Sequence, residues 1–284
     1  MKDLFDLQPD ISWCPGCGNF AIRKIILEIL KEIEMERQEV IFVSGIGQAA
    51  KAPQFYNASY FNGLHGRSLP AATGIKAAQP ETHVIVESGD GDMYGEGGNH
   101  FIHAIRRNPN ITVLVHDNMV YGLTKGQASP TSLYGMVTPA QVTGVAATPL
   151  NPLALAISLD ASFVARTSMH KPELSKEIIK EAIAHDGMAI VDIFQACVTF
   201  NKTNTYKWYV ENTAELAEDH DWSNQAVAFA KSLETDPYPL GIIYKNMNKT
   251  PFEKSHRLYH DATTPLYKRR ISEETMQSLF AKYQ

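Results

Sequence analysis

Two groups of residues in this chain have the types and spacing to do chemistry. The first is Gly89-Asp90-Gly91-Asp92 together with Asn118, which stands 28 positions after Asp90. A carboxylate and an amide oxygen are hard ligands that suit magnesium, an ion that keeps water and phosphate oxygens in the rest of its shell. The flanking glycines let backbone N–H groups approach a diphosphate at a helix start. The plainer reading is a set of tight turns in which Asp90 only caps a helix. Asn118 at the end of a second apolar run weighs against it. A dinucleotide site is a weaker fit, because Gly89-x-Gly91-x-x-x-Gly95 is not Gly-x-Gly-x-x-Gly and no later acid suits a ribose hydroxyl. The second group is Cys14-Pro15-Gly16-Cys17, with Cys197 as the remaining cysteine of three. A Cys-x-x-Cys pair can be a redox dithiol, half of a zinc site or half of an iron–sulfur site.

These residues must be held by regular elements. Apolar residues at helical spacing (Ile22, Ile25, Ile26, Ile29, Leu30, Ile33) predict a helix over 19–36, with Asn19 as its N-cap. Short β-branched runs predict strands at Val40–Val43, His83–Glu87, Ile111–His116, Ser162–Ala165 and Met188–Phe194. Helices are expected at Gly97–Arg107, Pro152–Leu159 and Pro172–Ala184. Strands alternating with helices imply an α/β fold, a mostly parallel sheet covered on both faces. Ligands of such sheets sit beyond the carboxyl ends of the strands. The unusual segments lie there, after Val43, Val86, Val115 and Ile193. From Thr199 to Trp222 no period is visible and a long loop or arm is expected. A helix at Asn224–Leu233, an edge strand at Pro239–Tyr244 and a terminal helix at Ser272–Lys282 follow.

Gly89-Asp90-Gly91 through Asn118 resembles the thiamine diphosphate motif of thiamine enzymes. Four further segments narrow the match: Trp13-Cys14-Pro15-Gly16-Cys17-Gly18-Asn19, Ser44-Gly45-Ile46-Gly47, Leu64-His65-Gly66-Arg67, and Tyr121-Gly122-Leu123-Thr124-Lys125-Gly126-Gln127-Ala128-Ser129-Pro130-Thr131. In this order they resemble the β subunit of 2-oxoacid:ferredoxin oxidoreductases, including the 2-oxoglutarate enzymes. The resemblance runs from about residue 10 to 200.

It implies a thiamine diphosphate-binding α/β domain over 1–200, with 201–284 as a C-terminal extension packed on it or on a partner. Asp90, Asn118 and the Val120 carbonyl would hold the magnesium ion. Gly89, Gly91 and Asp92 would line the diphosphate, and Ile46, Gly47, His65, Gly122 and Leu123 would sit close to the cofactor. Catalytic roles fall to His65, Leu123 and Lys51, the last on the substrate side; Lys125 is a further candidate cation or a solvated loop lysine. The implied reaction is oxidative decarboxylation of a 2-oxo acid, 2-oxoglutarate or a similar one, to acyl-coenzyme A and carbon dioxide. Electrons leave singly to a ferredoxin-like carrier. The family's general acid belongs to an α subunit, so an (αβ)2 assembly is expected, with this chain inactive alone.

In the family four cysteines bind one 4Fe–4S cluster. Cys14, Cys17 and Cys197 match three of them, and Gln48 stands where the remaining one is expected. The resemblance therefore leaves three arrangements open. The cluster is kept with Gln48, water or a carboxylate as the other ligand; it is reduced to three irons or lost; or the site holds zinc or nothing. A rival reading is a regulatory or non-oxidative homologue that binds thiamine diphosphate with an altered cluster.

Composition sets the remaining bounds. Of 284 residues, 44% are hydrophobic and 20% charged, an ordinary globular balance. Lys+Arg total 26 against 31 Asp+Glu, a net charge of -5, so nothing points to nucleic acid. No run reaches the ~18 apolar residues of a membrane helix. Acids at the start, Met1-Lys2-Asp3-Leu4-Phe5-Asp6, stand where a signal peptide needs an apolar core. Sparse, odd-numbered cysteines suggest a reducing, cytoplasmic setting.

Overall fold

The structure, a computed structural model, describes residues 4–7, 9–259 and 264–283. Of the acidic start, Met1 to Asp3 lie outside the described residues. An eight-stranded sheet forms the centre, in the spatial order β2-β1-β3-β4-β6-β5-β8-β7. Its strands are β1 (Val40–Ser44), β2 (Ser59–Asn62), β3 (His83–Gly89), β4 (Thr112–Asp117), β5 (Phe163–Ser168), β6 (Ala189–Phe194), β7 (Thr213–Glu215) and β8 (Tyr238–Lys245). All neighbours pair in parallel except β5 and β8, which run antiparallel.

Both faces of the central strands are buried, and this is why they read as short runs rich in β-branched and other apolar residues. Alternate residues enter two separate cores. Val40, Phe42, Ile85, Leu114 and Val191 pack under α1 (Asn19–Glu32). Val43, Val84, Val86, Val113 and Ile190 face the other way. That second core is covered by α2 (Ser68–Ala78), α3 (Gly98–Arg107) and α4 (Pro152–Ser158). α5 (Pro172–Ala184) lies beside α1 and contributes Ile178, Ile179 and Ala182 to the first core. Each fully buried Ile or Leu adds about 1.5–3 kcal/mol, so the two-faced sheet is a stiff platform for its loops. Among the described residues no helix is long and apolar enough to cross a membrane.

Several expectations are revised. Asn19 does not cap α1: the N-cap is Gly18, and Asn19 is the first helical residue, buried with its side chain in a polar network. The segment expected as an arm contains α6 (Tyr206–Asn212), capped by the Thr205 hydroxyl, and then β7. β8 is no edge strand, since β7 covers its outer side. Elements with no sequence signal also appear: β2, α2, a 3-10 turn at Ala49–Phe55 and a π-helical turn at Gly91–Glu96. α7 (Gln225–Ser232), capped by Asn224, α8 (Phe252–Ser255) and α9 (Glu273–Ala281) complete the described helices.

Candidate active site

β1, β3 and β4 are adjacent and parallel, so their carboxyl ends lie side by side about 4.8 Å apart. Each end passes directly into a motif segment: Gly45-Ile46-Gly47 after β1, Asp90-Gly91-Asp92 after β3, and Asn118-Met119-Val120 after β4. The loops close into one cleft. Ile46, Gly47, His65, Gly89, Asp90, Gly91, Asp92, Asn118, Val120, Gly122 and Leu123 all line it, a cavity of about 90 Å³. Met119 holds φ +56°, which turns the chain so that Asn118 Oδ1 accepts the Val120 N–H at 3.1 Å. Among the described residues nothing donates a hydrogen bond to the Val120 carbonyl.

Asp92 organises this cleft. Its Oδ1 accepts the Ile46 N–H at 2.9 Å and the Gly66 N–H at 2.8 Å, and Ser88 Oγ donates to Oδ2 at 2.5 Å. His65 Nδ1 lies 2.7 Å from the same Oδ1. The loop after β1, the turn before α2 and the π-helical turn are thereby tied to one carboxylate that is 2% exposed. Gly45 must be glycine here, because a Cβ would lie 2.1 Å from Asp92 Oδ2. Gly91 has the same constraint from the Tyr121 ring, 2.2 Å from its would-be Cβ.

Behind the cleft three acids are buried: Asp90, Asp117 and Asp192. Burial pushes the Asp90 carboxyl up to about 6, although the Ser129 and Thr131 hydroxyls pull it back. Asp117 is driven further above the carboxylate range, first by burial and then by Asp192 and Asp90. Thr131 Oγ1 lies 2.8 Å from Asp90 Oδ2 and 2.9 Å from Asp117 Oδ1. One hydroxyl proton serves only one of them. The hydroxyl therefore ties the two carboxylates together, whichever of them takes its proton.

The three cysteines meet on the far side of Asn118. Cys14, Cys17, Cys197 and Gln48 line one small cavity of about 50 Å³ with Asn19 and Gly122. Cys14 is exposed and the other two are half-buried, so they are not core filler. Burial raises the Cys17 thiol to about 11, with Cys197 and Cys14 adding to the rise. Trp13 Nε1 donates to the Gln48 carbonyl at 2.8 Å, and the Gln48 side-chain oxygen is buried without a partner. Asn19 Oδ1 accepts from Gln195 Nε2 at 2.7 Å and lies 2.9 Å from His116 Nδ1. Among the described residues, no three His, Cys, Asp or Glu side chains converge as a single-ion site would need.

Two expected residues fall outside the cleft wall. Lys51 sits on the 3-10 turn, half-buried, and Lys125 is exposed at φ +73° in the turn bridged by Tyr121 and Gln127. Conversely, Asp117, Thr131, Asp192 and Arg166 enter the site region although no sequence signal marks their roles. Thr131 ends the motif that begins at Tyr121, but its partner Asp90 is 41 positions away, a distance with no local pattern.

The chain is similar to known proteins over most of its length. A family model described as "Thiamine pyrophosphate enzyme, C-terminal TPP binding domain" matches residues 42–193. The model for the C-terminal part of the pyruvate ferredoxin oxidoreductase beta subunit matches residues 197–261. The 2-oxoacid:ferredoxin oxidoreductase subunit beta of Saccharolobus solfataricus is 43% identical over 256 residues, covering 85% of this chain and 84% of that one. The 2-oxoglutarate synthase subunit KorB of Methanocaldococcus jannaschii is 35% identical over 229 residues, 78% of this chain and 84% of its own. The solved structure titled 2-oxoglutarate:ferredoxin oxidoreductase from Magnetococcus marinus with 2-oxoglutarate, coenzyme A and succinyl-CoA bound superposes with a TM-score of 0.91. It is 33% identical and covers 99% of this chain and 94% of that one. With its thiamine-type cleft between β1, β3 and β4, this chain belongs to the β subunits of the 2-oxoacid:ferredoxin oxidoreductases.

Proposed function

We propose that this chain carries the thiamine diphosphate half of a cytoplasmic enzyme that oxidatively decarboxylates a 2-oxo acid, 2-oxoglutarate foremost, to acyl-coenzyme A. The observation that supports it most is the gathering of eleven motif residues, Ile46 to Leu123, around one cleft at three adjacent strand ends. Asp90, Asn118 and the Val120 carbonyl would hold magnesium; one carboxylate suffices when diphosphate oxygens and water complete the shell. Bound thiamine diphosphate supplies the electron sink for decarboxylation.

The chain's own residues do the positioning. Thr131 steers the Asp90 carboxylate, and Asp92 fixes Ile46, Gly66 and His65 around the cleft. His65, half-buried at the rim, holds or moves a proton at its imidazole. Leu123, 41% exposed on the cleft wall, packs against the substrate side, and Lys51 offers a charge to the substrate from the neighbouring turn. Cys14, Cys17 and Cys197 would hold an iron–sulfur cluster that stores single electrons for a ferredoxin-like carrier. The cavity lined by all three cysteines fits, because cubane thiolates bind different irons and need not converge on one point. The α subunit supplies the rest of the site in an (αβ)2 assembly.

The test is reconstitution with the α partner and an assay of 2-oxoacid-dependent reduction of a one-electron dye. Turnover supports the reading, and no turnover despite bound cofactor sinks it. Asp90→Ala is expected to abolish cofactor binding. A second reading, a homologue that binds the cofactor but passes no electrons, is favoured by Gln48, which lines the same cavity as the three cysteines. Iron and sulfide analysis of anaerobically purified protein separates the two.

A further inference from the structure

A second cavity, about 210 Å³, lies on the other side of the Asp117–Thr131 wall from the cofactor cleft and has no part in the chemistry above. Its wall includes Arg166, which is 3% exposed and lies on β5. A guanidinium has five N–H donors. Here only Nε is engaged, with Asp192 Oδ2 at 3.1 Å. Neither Nη atom donates a hydrogen bond among the described residues, and Nη1 is shielded from solvent without a partner. The plane is held by two rings, Phe194 at 4.7 Å and Tyr238 at 5.4 Å from the guanidinium carbon. A buried cation fixed in this way and left with unmatched donors is costly unless an acceptor meets it.

We propose that this cavity binds a small carboxylate through the guanidinium of Arg166, with Nη2 as the donor that meets it. An immobilised guanidinium with an unengaged N–H forms a charge-assisted hydrogen bond to a carboxylate oxygen. The volume is below the ~300–1,000 Å³ of pockets for drug-sized ligands, so the occupant is small. Leu150 and Phe194 offer apolar surface for its carbon body. Asp117, an acid on the same wall, disfavours a dianion such as phosphate more than a monocarboxylate. Occupancy would be felt at the cofactor cleft, because Thr131 lies on this wall and bonds Asp90.

The test is calorimetric titration of the αβ enzyme at constant ionic strength, with sodium acetate and inorganic phosphate as probes. Two variants accompany the wild type. Thr148→Trp fills the exposed rim and leaves Arg166 in place. The pair Arg166→Gln with Asp192→Asn removes the guanidinium without stranding a buried charge. Saturable acetate binding that weakens at least tenfold in both variants supports the site. Equal acetate binding in all three proteins overturns it, as does a crystal soak showing only water beside Arg166. Phosphate binding with acetate excluded overturns the carboxylate assignment. Asp90→Ala separates the cavities: heat that persists there belongs to Arg166, and heat lost only there belongs to the cofactor cleft and overturns the proposal.

Discussion

Oδ1 of Asp92 lies 2.7 Å from His65 Nδ1, and the same oxygen accepts the Ile46 and Gly66 amides. Asp92 therefore acts as a fastener for the cleft more than as a wall. Asp92→Ala leaves two buried N–H groups without an acceptor, at ~1–3 kcal/mol each. Urea denaturation is expected to show a loss of about 2–6 kcal/mol. Asp92→Asn, which keeps one oxygen, falls between it and the wild type, and an Ala variant as stable as wild type would contradict the role.

Gly91→Ala places a methyl group against the Tyr121 ring, 2.2 Å from Cε1. Overpacking of this kind costs about 1–3 kcal/mol. Since Tyr121 also donates to the Gly91 carbonyl at 3.2 Å, the whole Tyr121–Gln127 turn must shift. Thiamine diphosphate affinity is expected to fall. Tyr121→Ala in the same chain should return part of the stability, a coupling that a double-mutant cycle measures directly.

The cysteines are expected to differ in reactivity. Cys17, raised to about 11 by burial and by the two nearby thiols, carries almost no thiolate at pH 8. Cys14 is exposed. Iodoacetamide on metal-free protein at pH 8 should label Cys14 well before Cys17, as read by peptide mass spectrometry. Protection of Cys14, Cys17 and Cys197 together after iron and sulfide reconstitution would support a shared cluster.

His185 sets an acid limit on stability. Burial lowers its imidazole from 6.5 to about 4, and neither ring nitrogen has a hydrogen-bond partner. Between those two values the unfolded chain binds the proton and the folded chain does not. Stability therefore rises with pH across this window and is lost as pH falls from 6.5 towards 4. His185→Phe, which keeps the contact with the Phe163 ring, should flatten that part of the melting-temperature profile.

The central strands were legible because burial on both faces leaves a short run rich in β-branched and other apolar residues, as at Val40–Val43 and Ile111–Val115. α5 was legible to its last residue, since Pro172 opens it and its apolar period is regular. β2 was not: Ser59–Asn62 is exposed throughout and held by backbone pairing with β1, which leaves no side-chain signature. α2, with its Gly and Pro, has only a weak apolar stripe. Within the site, residues adjacent in sequence to Gly-Asp-Gly and Asn118 could be found from spacing. Thr131 and Arg166 could not, because what they do depends on partners brought close only when the sheet assembles.

The cluster of buried acids Asp90, Asp117 and Asp192 has a consequence for how the chain should be handled. Acids this close and this buried repel one another, and a divalent cation that binds at Asp90 relieves that repulsion in the folded form alone. A magnesium ion held as proposed would be a folding ligand as well as a cofactor. At a hundredfold excess over its dissociation constant it adds about 2.7 kcal/mol to the folded state. Magnesium with diphosphate in the buffer should thus raise the melting temperature of the isolated protein, and chelation should lower it, before any substrate is present.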